Sequence, residues 1–350
     1  MGIRVAAWVA GALVLVTAPF VLDPYYRFLV TMMIVYSVVA VGLNLLTGYS
    51  GQISLGHGAF LAIGAYTTAI VVARFDVMPY APAILLGAVV TALAGLGLGF
   101  PALRLSGPYL AIVTVGFSIA VPQVLLKFEW LTGGVQGILV PTPPAPGALA
   151  RWIEAEQWVY LLALAPAAAL AAIAANLFRT GAGRALVALR DSEVAAQSVG
   201  ISLRRYKLLA FTLSAFYTGL AGGLYTLAVG FVSPDSFTLL TSIQFLAMIV
   251  VGGLGSVFGS ILGAVVITLL PNYASEISKA APWAIYGAVL IVFMIFLPTG
   301  LAGLFRRLIA RRPAGARQTG ASAQTSIHRG GVRDDSQQPH PTPQAAPERD

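Results

Sequence analysis

The chain has 350 residues, 58% of them hydrophobic and 10% charged, with a formal net charge of +8. This balance excludes an ordinary soluble domain and identifies an integral membrane protein, so the basic excess argues for loops on one membrane face rather than for nucleic-acid binding. Cysteine is absent and the three histidines (His57, His328, His340) are scattered, which excludes disulfides, thiolate metal sites and a histidine metal cluster.

Ten apolar segments are predicted, at about 5–22, 28–46, 59–73, 81–100, 109–126, 158–178, 208–229, 241–251, 256–270 and 283–297. The first is expected to be a retained span, because no small-x-small cleavage site precedes Asp23. Several segments fall below the roughly 20 residues that cross a bilayer, so they tilt, lie within the protein or are broken helices. The expected fold is all-α: a polytopic transmembrane helical bundle of about ten membrane segments over residues 1–304. A basic and then disordered tail follows over 305–350, rich in Gly, Pro, Gln and Ser.

Between the second and third segments the run from Asn44 to Gly58 interrupts the apolar pattern. Gly48, Gly51, Gly56 and Gly58 break the helix, and the uncharged polar residues Asn44, Thr47, Ser50, Gln52 and Ser54 cluster with them. Non-helical backbone near membrane depth needs protein or a water-filled cavity around it, which makes this stretch a candidate wall of a translocation path. The alternative is a glycine-rich turn at the membrane face. His57 is expected to be a hydrogen-bonded neutral imidazole rather than a proton carrier.

With the N-terminus inside and ten crossings, only Arg27, Arg74, Lys127, Arg151 and Lys279 of the 21 Lys and Arg residues fall in outer loops. This bias obeys the positive-inside rule and places both termini in the cytoplasm. The outer loop 127–157 is long and stiffened by the prolines of 141–147, and reads either as a contact for a soluble partner or as a solvated connector.

The inner loop 179–207 carries Arg179, Arg184, Arg190, Arg204, Arg205 and Lys207 against Asp191 and Glu193. Within it 191–201 is predicted to be one short helix. Asp191 caps its start, Glu193 suits the positive end of its dipole, and Gly200 supplies the left-handed stop. Val194, Ala195, Ser198 and Val199 share an adjoining, mostly apolar face. Such a helix suits docking into another protein; the alternative is a surface connector.

A second interruption, Gly252 to Gly259, lacks the Lys-Ser/Thr of a phosphate loop. Gly252 and Gly253 suggest a hinge or a reversal. Gly255, Gly259 and Gly263 recur every fourth residue, the spacing that lets helix backbones approach. Gly95, Gly97, Gly99, Gly219, Gly222 and Gly223 are read as packing glycines too. No Asp, Glu, Lys or Arg lies inside the ten segments as bounded above, which weighs against a carrier driven by an ion gradient. No nucleotide-binding, metal or catalytic constellation is present, so an energy source on another chain is expected.

Three stretches, 42–69, 183–225 and 250–264, together closely resemble the branched-chain amino-acid ABC transporter permease family, in its LivM-type membrane subunit. The resemblance spans about residues 28–304 and implies a subunit that forms the path with a second permease. Two cytoplasmic ATPase subunits would carry ATP and Mg, this chain binding no cofactor, and a periplasmic binding protein would deliver substrate at the bacterial inner membrane. It assigns 183–201 to ATPase contact, through Gly183, Arg184, Arg190, Asp191, Glu193, Ala195, Ala196, Gly200 and Ile201. A urea or amide importer of the same superfamily would share these motifs. A sugar permease is a more distant relative, and an independent secondary transporter is the rival from another class.

Overall fold

The computed structural model describes residues 2–75, 79–105, 107–277, 282–297 and 300–310. The described residues are helical almost throughout, in the order α1 (Gly2–Val21), α2 (Pro24–Asn44), α3 (His57–Ala69), α4 (Tyr80–Ala102), α5 (Pro108–Lys127), α6 (Glu129–Thr132) and α7 (Ala155–Leu177). There follow α8 (Gly181–Asp191), α9 (Glu193–Ser198), α10 (Leu203–Val229), α11 (Leu239–Gly252), α12 (Val257–Ile277), α13 (Pro282–Phe296) and α14 (Gly300–Ala310). Each of the ten expected segments coincides with a helix. Among the described residues, eight helical stretches are long and apolar enough by themselves to cross a membrane.

α10 is the central helix, and it lies against α2, α3 and α4. In lipid, apolar side chains gain nothing by leaving one helix surface for another, so close packing of small residues holds such helices together. The small face of α10 does this. A Cβ added at Gly222 would collide with the Leu61 carbonyl of α3, and one at Gly219 with the Thr91 side chain of α4. From the other side, a Cβ at Gly95 would strike Ala215 and one at Gly99 would meet Leu208. Gly97 differs from the expectation: nothing lies within 4 Å of it, because it points away from α10. Buried hydroxyls at Thr68, Thr91 and Thr218 donate to carbonyls one turn earlier, so they enter the apolar interior satisfied.

α14 runs through the first part of the basic stretch expected from 305, as far as Ala310; residues 311–350 lie outside the described residues. The loop 127–157 is not a free connector. Its strand β1 (Ile138–Leu139) pairs antiparallel with β2 (Phe231–Val232), and Tyr80 Oη donates to the Pro141 carbonyl at 3.1 Å. Helices also begin earlier than hydropathy suggests, so α2 takes in Arg27, α7 takes in Glu156, and α10 takes in Arg204, Arg205 and Lys207. All of these charges sit within the first five residues of their helices, where side chains reach the interface or a partner.

Candidate functional site

α2 does not end cleanly. Its last turn widens into a π-helical turn at Leu45–Tyr49, Gly51 adopts φ +74°, and the chain runs without regular structure until Gly56 caps α3. The polar residues of this break satisfy its irregular backbone from within the protein. Ser50 Oγ donates to the Leu46 carbonyl at 2.7 Å, Thr47 Oγ1 to the Gln52 carbonyl at 3.0 Å, and Gln52 Nε2 to Ser50 Oγ at 2.8 Å. Hydroxyls from three other helices complete the set. The Leu55 N–H donates to Thr114 Oγ1, the Gly58 N–H to Ser242 Oγ, and His57 Nε2 lies 2.7 Å from Ser214 Oγ. Ser54 lies 3.3 Å from the other ring nitrogen of His57, so the buried imidazole is hydrogen-bonded at both ends, as expected.

Asn44 has a more specific task. Its Nδ2 donates to the Ser256 carbonyl at 3.0 Å and to Ser260 Oγ at 2.7 Å, and its Oδ1 accepts from the Gly255 N–H at 2.9 Å. It therefore clasps α2 to the reversal between α11 and α12. That reversal is made by Gly253 (φ +120°) and Gly255 (φ +72°), and Gly252, Gly259 and Gly263 pack α11 on α12 at backbone contact. Asn44→Ala would leave the part-buried Gly255 N–H without its acceptor, whereas the Ser256 carbonyl keeps the Ser260 N–H. We expect it to destabilise the permease by about 1–3 kcal/mol, measurable as a lowered melting temperature in detergent.

The loop 179–207 folds differently from the expectation. It holds two helices, α8 and α9, and Asp191 ends the first instead of capping the second. Ser192 is the cap, accepting from the Ala195 N–H at 3.2 Å. Asp191 is engaged elsewhere, receiving hydrogen bonds from Nε (3.1 Å) and Nη2 (3.0 Å) of Arg190. Gly200 has φ +83° with open space around it, as the left-handed stop requires. Ala196 is buried against the protein, whereas Val194, Ala195, Ser198 and Val199 are exposed and form the free apolar face. Lys207 Nζ reaches Glu193 at 2.7 Å and ties α9 to α10. Gly183 packs on the backbone of Leu177 and Phe178 where α8 leaves α7. Arg184 donates to the Arg179 carbonyl, and Ile201 is half-buried.

Arg190 joins these parts. Its Nη1 donates to the Gly48 carbonyl at 3.0 Å, its stem packs beside Gly51, and the same guanidinium lies next to Gly255. Tyr49 stacks on Phe178 at 3.3 Å, pinning the break to the end of α7. The glycine-rich break, the α8–α9 loop and the α11–α12 reversal, separate in sequence, thus meet in one node. Sequence reasoning missed Ser192 as cap, Thr114, Ser214 and Ser242 as partners, and the Arg190 bridge. The hydroxyls left one signal, being polar positions inside apolar segments.

A family model described as branched-chain amino acid transport system / permease component matches residues 25–298. The high-affinity branched-chain amino acid transport system permease protein LivM of Salmonella typhimurium is 37% identical over 79% of this chain and 69% of that protein. LivM of Escherichia coli is 36% identical over 85% of this chain and 75% of its own length. LivH of Salmonella typhimurium is 24% identical over 78% of this chain and 93% of its own. No solved structure matches. The chain belongs to the family of permease components of branched-chain amino acid transport systems.

Proposed function

We infer that this permease is one half of the membrane pair of an ATP-binding-cassette importer for branched-chain amino acids. It lies in the bacterial inner membrane with both termini in the cytoplasm, fed by a periplasmic binding protein and driven by two ATPase subunits that carry ATP and Mg. The carrying observation is α9, a short helix with an exposed apolar face in a chain of this family. Ser192, Lys207–Glu193 and buried Ala196 hold it rigidly to the bundle. A lever of that kind transmits displacement only if it is stiff and if its far end is attached to something that moves. Arg190 supplies the attachment, to the Gly48 carbonyl.

The mechanism is alternating access. Nucleotide binding draws the ATPases together and shifts α9 with α8. The shift reaches the break through Arg190 and the α11–α12 reversal through Asn44. Asn44, Thr47, Gly48, Ser50, Gly51, Gln52, Ser54, Gly56 and His57 then shape the path from behind, since most of their polar side-chain atoms are taken up by bonds within the chain, Gln52 Oε1 being buried without a partner among the described residues.

Reconstitution with the partner permease, ATPases and binding protein tests the reading through ATP-dependent leucine uptake into liposomes. Accumulation by this chain alone, or uptake of urea in place of leucine, would overturn it. Within that system Ala195→Arg places a charge on the docking face and should cut substrate-stimulated ATP hydrolysis and uptake by about tenfold or more. Gly200→Pro should do the same, because proline cannot adopt φ +83°.

A further inference from the structure

Where the end of α4 meets the start of α10, on the side of the bundle that carries the node, Arg104, Arg204 and Arg205 are left without a counter-charge. α4 ends at Ala102 and Arg104 follows in the turn after it, while Arg204 and Arg205 stand in the first turn of α10, ahead of its apolar run from Leu208. Both helices are long and apolar enough to cross a membrane, so these residues mark its boundary with water. All three arginines are exposed. The ion pairs among the described residues use Arg27, Arg190 and Lys207, and no carboxylate there engages Arg104, Arg204 or Arg205. Two cations in the first turn also oppose the helix dipole of α10, which leaves their charge to be answered from outside the chain.

An aromatic ring lies among these charges. The Arg204 guanidinium carbon sits over Phe100, 5.9 Å from the ring centre, and Phe100 is 48% exposed at the edge of its span. A guanidinium that rests on a ring spends its flat face there and keeps its N–H edge free, the edge that matches two phosphate oxygens. A small anion in water gains nothing from the exposed ring, whereas a phospholipid brings phosphate and acyl chain together. We propose that Arg204, with Arg104 and Arg205, binds the phosphate of an anionic phospholipid whose acyl chain covers Phe100. Basic clusters between membrane helices suit such headgroups. The lipid steadies the end of α10 to which Lys207 and Glu193 fasten α9. The site itself needs only the membrane fold; its effect on transport rests on the importer reading above.

Native mass spectrometry of the assembled transporter, titrated in detergent with dioleoylphosphatidylglycerol or dioleoylphosphatidylcholine, tests the site. The anionic lipid should bind about tenfold or more tightly than the zwitterionic one. Arg204→Gln should cut that preference to about threefold or less, and Arg204→Lys, which keeps the charge and loses the fork, should fall between. Arg179→Gln removes the same charge from another exposed position and should stay within about twofold of wild type. Equal losses in Arg204→Gln and Arg179→Gln would reduce the effect to diffuse attraction and overturn the site. So would displacement of the lipid by glycerophosphoglycerol, which carries the phosphodiester without acyl chains. An unchanged lipid preference in Arg204→Gln, with loss of the ATPase subunits, would assign the arginines to a protein contact instead. In proteoliposomes, phosphatidylglycerol should raise leucine imported per ATP in wild type and not in Arg204→Gln; no rise would remove the effect on α9. A wild-type complex that imports no amino acid sinks the importer reading and leaves the lipid measurement standing.

Discussion

Gly64→Val is expected to leave little or no assembled permease in the membrane. A Cβ on Gly64 would fall onto the backbone of Gly219, and that backbone has no rotamer by which to retreat. The contact is reciprocal along the same interface, because the Cβ position of Gly222 is already filled by the Leu61 carbonyl. α3 and α10 would have to separate, and α4 would follow, since Gly219 and Gly223 also press on Thr91 and Ile84. Overpacking a flexible core costs about 1–3 kcal/mol; collision with rigid backbone at the centre of the bundle should reach or exceed the upper figure. Extraction yield, size-exclusion profile and melting temperature of the purified permease pair measure it. Gly97→Val is the control: open space at that position predicts wild-type behaviour. Wild-type yield and stability for Gly64→Val would show that the helix approach is not set by these glycines.

Arg190→Met should produce the opposite phenotype, an assembled transporter that hydrolyses ATP without moving substrate. Methionine keeps most of the stem that packs beside Gly51, so folding should survive. It cannot donate to the Gly48 carbonyl or pair with Asp191. With those bonds gone, α9 keeps its tie to α10 through Lys207 and Glu193, but α8 loses its tie to the break and displacement of α9 no longer pulls it. A charge-assisted hydrogen bond is worth about 1.5–3 kcal/mol, enough to shift a two-state equilibrium by roughly ten- to hundredfold. The expected result is at least a tenfold fall in leucine imported per ATP hydrolysed. An unchanged ratio would remove Arg190 from the coupling route. Gly51→Val should act on the same joint: valine is strained at φ +74°, and its Cβ would press on the Arg190 stem at 2.9 Å.

Much of the architecture was legible from residue order alone. Ten apolar segments, the stop at Gly200 and the reversal at Gly253 follow from local causes, namely partition of a helix into lipid and the conformational freedom of glycine. The helix starts were less legible. Asp191 and Ser192 are adjacent and both are good caps, so propensity could not choose between them. The fold chooses Ser192 because Asp191 is engaged by Arg190.

What the sequence by itself determined is the class of protein, its family and the rough position of every membrane helix. Tertiary structure alone decided which polar groups meet. Arg190 finds Gly48 across 142 residues, Asn44 finds Gly255 across 211, and Arg27 finds Glu154 across 127. Hydropathy records only whether a residue tolerates lipid. The partner of a buried donor depends on which helices the small residues allow to touch, and no local pattern carries that information.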